Sequence, residues 1–86
     1  MLTVIVTAEL EVDFVTWEAR YLAHKPVREE AGIEDVFVGK VLNENKFLSV
    51  LTVPSVDVLN TFMEQNSKFM ESVGHKVNTT NVVIAE

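Results

Sequence analysis

Between Ser55 and Gly74 the apolar residues recur with a helical period. At about 100° per residue, Val58, Leu59, Phe62, Met63, Phe69, Met70 and Val73 gather on one side, and Asp57, Thr61, Glu64, Lys68, Glu71 and Ser72 on the other. This is an amphipathic helix with a core face. Pro54 ends what precedes it, Ser55 or Asp57 can accept from the first free backbone N–H groups, and Gly74 suits the left-handed residue that closes a helix. Asn66 interrupts the apolar stripe. Either it caps a second helical segment where the helix bends, or its amide points into a cavity and orients a ligand there.

The remaining pattern supplies four strands and a second helical excursion. Leu2 to Leu10 alternates Leu2, Val4, Val6, Ala8 and Leu10 with Thr3, Ile5, Thr7 and Glu9, and is rich in β-branched residues. Asp13 can cap a helix beginning at Phe14, which Pro26 interrupts because its ring clashes with the carbonyl of Leu22. A new piece then runs from Pro26 through Ala31 to a closing Gly32. Ile33 to Val41 and Lys46 to Val53 read as paired antiparallel strands joined by the polar loop Leu42–Asn45. His75 to Ala85 reads as a fourth strand, placed at an edge because Asn78, Thr79, Thr80 and Asn81 are polar on both faces. The order is strand, helix, strand, strand, helix, strand. It predicts an α+β, ferredoxin-like βαββαβ fold over residues 1–86 as a single domain, with a four-stranded antiparallel sheet and two helices on one face.

Two helices cover only one face of such a sheet, yet the strands are apolar on both. Val4 and Ile5 point opposite ways, as do Val36 and Phe37, Phe47 and Leu48, and Val50 and Leu51. An apolar face of several hundred Å2 is unusual on a soluble monomer. A second copy related by a twofold axis is the simplest cover, so the expected partner is a homodimer mate on the open sheet face.

Composition narrows the function classes. The 86 residues suffice for one domain, and 48% hydrophobic content with three Gly and two Pro excludes a flexible tail. A net charge of −6 repels nucleic acid phosphates and anionic membrane surfaces, so neither is an expected partner. No cysteine is present, which removes disulfides and thiolate metal sites and suits the cytoplasm. No leader pattern or apolar run of about 20 residues is apparent.

Few residues carry chemistry. Glu18 falls near the middle of the apolar face formed by Phe14, Val15, Trp17, Ala19, Tyr21 and Leu22; buried there it would be a general acid or base, at a margin only a solvated charge. Trp17, Arg20, Tyr21 and His24 follow adjacent turns as a ridge that either lines a pocket mouth or lies wet. His75 follows Gly74 and either bonds the last helical carbonyls or serves as a base. Neither histidine has a second ligand at metal-binding spacing, and Gly32, Gly39 and Gly74 form no phosphate loop. No metal or cofactor is expected.

With this plan, the chain resembles the dimeric α/β-barrel superfamily, whose small ferredoxin-like subunits pair sheet to sheet. Asp13, Phe14 and Trp17, then Glu30, Ala31, Gly32 and Ile33, and finally Asn66, Glu71, Ser72, Val73, Gly74 and His75 resemble a small uncharacterised family of short cyanobacterial proteins with no assigned activity. The superfamily includes cofactor-free and haem-degrading monooxygenases, lactone isomerases and stress-induced proteins. The resemblance therefore implies a fold and a pocket rather than a reaction. Haem-degrading members carry an asparagine on the first strand and a tryptophan in the second half; here the first strand has no asparagine and the only Trp is Trp17.

Two functions follow as expectations. In the first, a cytoplasmic homodimer binds a small, largely apolar molecule between sheet and helices, as a cofactor-free monooxygenase or isomerase. Glu18, His24 and His75 are then the catalytic candidates, and Trp17, Tyr21 and Asn66 the ligand-binding ones. In the second, the dimer is a non-catalytic interaction or metabolite-sensing module, with Trp17, Arg20 and His24 on its surface.

Overall fold

The computed structural model describes residues 1–86. In chain order the elements are β1 (Leu2–Glu9), α1 (Phe14–Ala23), α2 (Lys25–Glu30), β2 (Glu34–Lys40), β3 (Lys46–Val53), α3 (Val56–Ser72) and β4 (Asn81–Ala85), with a short 3-10 turn at Val77–Thr79. The fold is α+β: an open four-stranded antiparallel sheet in the order β2-β3-β1-β4, with three helices. No helix is long and apolar enough to cross a membrane.

Local chemistry sets the helix ends. Asp13 accepts from the Thr16 backbone N–H and hydroxyl, which holds its carboxyl below the usual range and fixes the start of α1. The helix breaks at His24, and Pro26 stands in the first turn of α2, where a missing N–H costs nothing. Ser55 Oγ accepts from Val58 N at 3.2 Å to start α3. Helices α2 and α3 end alike. Gly32 and Gly74 take φ of +85° and +97°, and the next N–H turns back to the carbonyl three residues before the cap, Ile33 to Arg28 and His75 to Met70. The residue after each glycine is thereby directed inward, and both Ile33 and His75 are buried.

Two expectations are corrected. Helix α3 runs unbroken through Asn66, whose amide donates back to the Phe62 carbonyl at 2.8 Å instead of capping a second segment. The last strand begins at Asn81 and not at His75. His75 makes only an isolated bridge to Leu10, and the polar stretch coils into the 3-10 turn, where Thr79 Oγ1 accepts from Glu9 N and donates to the Lys76 carbonyl.

The register assigns the sheet faces. Val4 lies opposite Leu51, Val6 opposite Ser49 and Ala8 opposite Phe47. These residues are buried with Trp17, Ile33, Val53, Leu59 and Val73, so the core lies between this face and the helices. On the other face Phe37, Val50, Ile5 and Val83 stand opposite one another in turn, an apolar row across all four strands. No part of the chain covers that row: Phe37 is 57% exposed and Val83 55%. Beside it, a Cβ on Gly39 would lie 2.7 Å from the Phe37 ring, so Gly39 is the bed on which that ring rests.

A bulge in β2 decides what enters the core. Asp35 opposes Leu51 and Phe37 opposes Val50, leaving Val36 as the extra residue. In a regular strand Asp35 and Phe37 would share a face. The extra residue separates them, sending Asp35 toward the helices and Phe37 to the open face.

Candidate functional site

The site is a cleft of about 70 Å3 between α1, α2, α3 and the covered face of the sheet. Trp17, Tyr21, His24 and Arg28 line it from the first two helices; Phe62, Met63, Phe69 and Met70 from α3; Phe47 and Ser49 from β3; and His75 from the segment after Gly74. On one helical face Tyr21, His24 and Arg28 follow at i, i+3 and i+7. The break at His24 is short enough to keep them together.

Aromatic stacking builds one wall. The Trp17 ring lies on Phe47 at 4.2 Å and 15°, with Tyr21 at 4.8 Å on the helical side. The Arg28 guanidinium carbon sits 3.7 Å from the Tyr21 ring centre, a cation–π contact. At the other end His75 meets Phe47 edge-on, 5.0 Å and 82°. Arg28, Tyr21, Trp17, Phe47 and His75 thus form one column from α2 to the end of α3. Across the cleft the His24 ring stacks on Phe69 at 3.8 Å and 17°, joining the α1–α2 junction to α3.

The polar groups of this column are mostly engaged. Arg28, 3% exposed, donates from Nε and Nη2 to the two Asp35 oxygens at 2.9 and 2.8 Å, and from Nη1 to the Tyr21 carbonyl at 2.8 Å. The Tyr21 hydroxyl donates to Asp35 Oδ1 at 3.2 Å. Burial pushes that hydroxyl up to about 12, and the Asp35 charge adds to the rise against the lowering by Arg28. His75, 6% exposed, is depressed to about 4 because burial disfavours the imidazolium. Its Nε2 lies 2.7 Å from Thr80 Oγ1. Thr52 Oγ1 is the one fully buried side-chain polar atom without a partner; His75 Nδ1 also has none in the chain, so it keeps access to free space. His24 is lowered by burial and then by the nearby Arg28 charge.

Of the sequence candidates, the structure brings Trp17, Tyr21, His24 and His75 together at the cleft. Glu18 is half-buried on α1 and does not line it, and the Asn66 amide is spent on its own helix. Arg20 is exposed. Sequence reasoning missed Arg28, Asp35 and Ser49. Signals were present: Asp35 lies in a strand that also carries Val36, Phe37 and Val38, and Ser49 is in phase with Phe47, Leu51 and Val53. No three His, Asp or Glu side chains are grouped to hold a metal ion.

Fold and site together define the class: a small α+β domain whose helices and sheet enclose an apolar cleft with one internally paired cation. The chain belongs to the family described as a domain of unknown function, DUF3764, whose model matches residues 1–85. No curated protein matches it.

Proposed function

We propose that this chain is a homodimeric binding module that holds a small, largely apolar molecule in the cleft between sheet and helices. The observation that carries the reading is the lining. Eleven of its fifteen residues are hydrophobic, and a few placed polar groups among apolar walls are the usual composition of a small-molecule site. At about 70 Å3 the resting cleft is about half the roughly 150 Å3 of an apolar cavity that admits benzene. Entry therefore requires the α3 wall to give, and Met63 and Met70, unbranched and partly exposed, are suited to it.

Binding is favoured over acid–base catalysis because efficient proton transfer wants a group poised near the working pH. In this cleft Tyr21 is pushed up to about 12, His75 is depressed to about 4, and His24 is lowered from its ordinary value by burial and by the Arg28 charge. A catalytic reading, as a cofactor-free monooxygenase or isomerase, has one feature in its favour: the unpartnered Nδ1 of His75, which would be its base.

The dimer completes the proposal in the ferredoxin-like, dimeric α/β-barrel arrangement. The sheet order β2-β3-β1-β4 and the uncovered row Phe37, Val50, Ile5, Val83 support it. Four strands at about 4.8 Å spacing and eight residues at about 3.3 Å span a plane of roughly 500 Å2. With side-chain relief this approaches the roughly 800 Å2 per partner of a standard interface. The lack of cysteine fits a reducing, cytoplasmic setting.

Trp17 reports on the cleft, so titrating its fluorescence with uncharged ring compounds tests the reading. Saturable quenching in the native protein that Ser49→Leu, which fills the cleft from β3 without adding a second indole, abolishes is the expected result. Unchanged emission across the panel, with a native mass spectrum showing no retained molecule, would overturn it.

A further inference from the structure

We propose that the Arg28–Asp35 pair makes the cleft select uncharged ligands bearing a hydrogen-bond acceptor, and that Asp35 is the residue setting this preference. The proposal rests on the binding reading above and names the ligand class of that same site.

Arg28 brings the only full charge into the lining. Alone, a buried guanidinium would make the cleft an anion site, since its planar fork matches carboxylate and phosphate. Asp35 occupies that fork. The two hydrogen bonds of 2.8 and 2.9 Å engage both carboxylate oxygens, and the bulge at Val36 is what turns Asp35 toward Arg28. An incoming carboxylate would give up its water to meet a cation already neutralised and a second carboxylate just behind it. A cationic ligand fares no better, because the only nearby carboxylate is committed to Arg28.

The pair is neutral but not inert. A guanidinium has five N–H groups; three are used, on the two Asp35 oxygens and the Tyr21 carbonyl, and two remain. Arg28 is fixed by those three bonds, its guanidinium carbon lies 3.7 Å from the Tyr21 ring centre, and the residue lines the cleft. An uncharged carbonyl, ether or hydroxyl oxygen can accept from the two remaining N–H groups at little desolvation cost, while the rest of the molecule lies against Phe62, Met63 and Met70 on the α3 side of the cleft.

Four probes of similar size separate the cases: benzyl alcohol, toluene, benzoate and benzylamine, titrated at pH 7 while following the Trp17 indole N–H resonance. In the native protein benzyl alcohol is expected to bind at least tenfold more tightly than benzoate or benzylamine, and more tightly than toluene. Asp35→Asn keeps the shape and frees the Arg28 charge, so benzoate should gain at least tenfold and overtake benzyl alcohol. Benzoate binding the native protein as well as benzyl alcohol overturns the proposal and leaves the binding reading intact. A folded Asp35→Asn variant that still prefers benzyl alcohol to benzoate overturns the role of Asp35. Should that variant not fold, the Arg28→Met/Asp35→Leu double variant takes its place; it is expected to lose the advantage of benzyl alcohol over toluene, and retention of that advantage overturns the role of the pair. No response to any probe overturns the binding reading and this proposal together.

Discussion

Arg28 and Asp35, seven residues apart and on different elements, meet through two near-parallel hydrogen bonds of 2.9 and 2.8 Å inside the helix-covered face of the sheet. The pair ties α2 to β2 and shapes the cleft. Removing one partner leaves a buried charge or carboxylate uncompensated, which costs about 3–5 kcal/mol, whereas replacing both with apolar residues costs far less. Arg28→Met and Asp35→Leu are each expected to destabilise by that order, and the double variant by clearly less than their sum. Urea unfolding of the four proteins checks this. Additive effects would mean that the two side chains are not energetically coupled.

Acid should loosen the fold through His75. Its folded-state value of about 4 lies below the ordinary histidine value of 6.5, so the unfolded chain binds the proton more readily. Stability is therefore intact above about pH 6.5 and falls as pH drops toward 4, by on the order of 2 kcal/mol after allowing for solvent screening of the ring. His24, also lowered, acts in the same direction. Urea midpoints between pH 7 and 4 are expected to fall, and His75→Gln should flatten much of the decline. An equal slope in that variant would assign the pH dependence to other groups.

Gly74 bears a double constraint. Its φ of +97° disfavours any side chain, and an added Cβ would come within 2.6 Å of Val12 Cγ2. Gly74→Ala is predicted to cost about 1–3 kcal/mol and to displace His75 from the column, visible as a changed imidazole chemical shift. A variant as stable as the parent would show that the turn relaxes freely.

The open sheet face predicts the oligomeric state. Ile5 sits in the middle of the apolar row, between Val50 and Val83. Ile5→Lys places a charge there without touching the helix-covered core and should convert a dimer into a folded monomer in analytical ultracentrifugation. A native protein that sediments as a monomer at tens of micromolar would refute the pairing.

Much of this architecture is local and was legible as such. Alternation in Leu2–Leu10 and the helical stripe of Val56–Ser72 follow from the two side-chain periods. Asp13, Ser55, Gly32 and Gly74 mark helix ends because capping involves only neighbouring residues. Trp17, Tyr21, His24 and His75 could be named as candidates for the same reason, from a helix face and the residue after a terminating glycine.

What tertiary structure decided was which face meets what. Glu18 and Asn66 stood out by position on a helix, but helical phase is silent on what lies opposite; one proved half-buried and outside the cleft lining, and the other satisfied by its own helix. Arg28 drew no reading from its own short helix; in the fold it is buried, with Asp35 facing it. That meeting depends on one extra residue in β2, and a bulge is a matter of strand pairing. Sequence alone determined the elements, because their periods and caps are written within a few residues. The cleft and its paired charge arose only when the sheet register brought α2, β2 and β3 together, since long-range pairing alone sets which side chains share a dry interior.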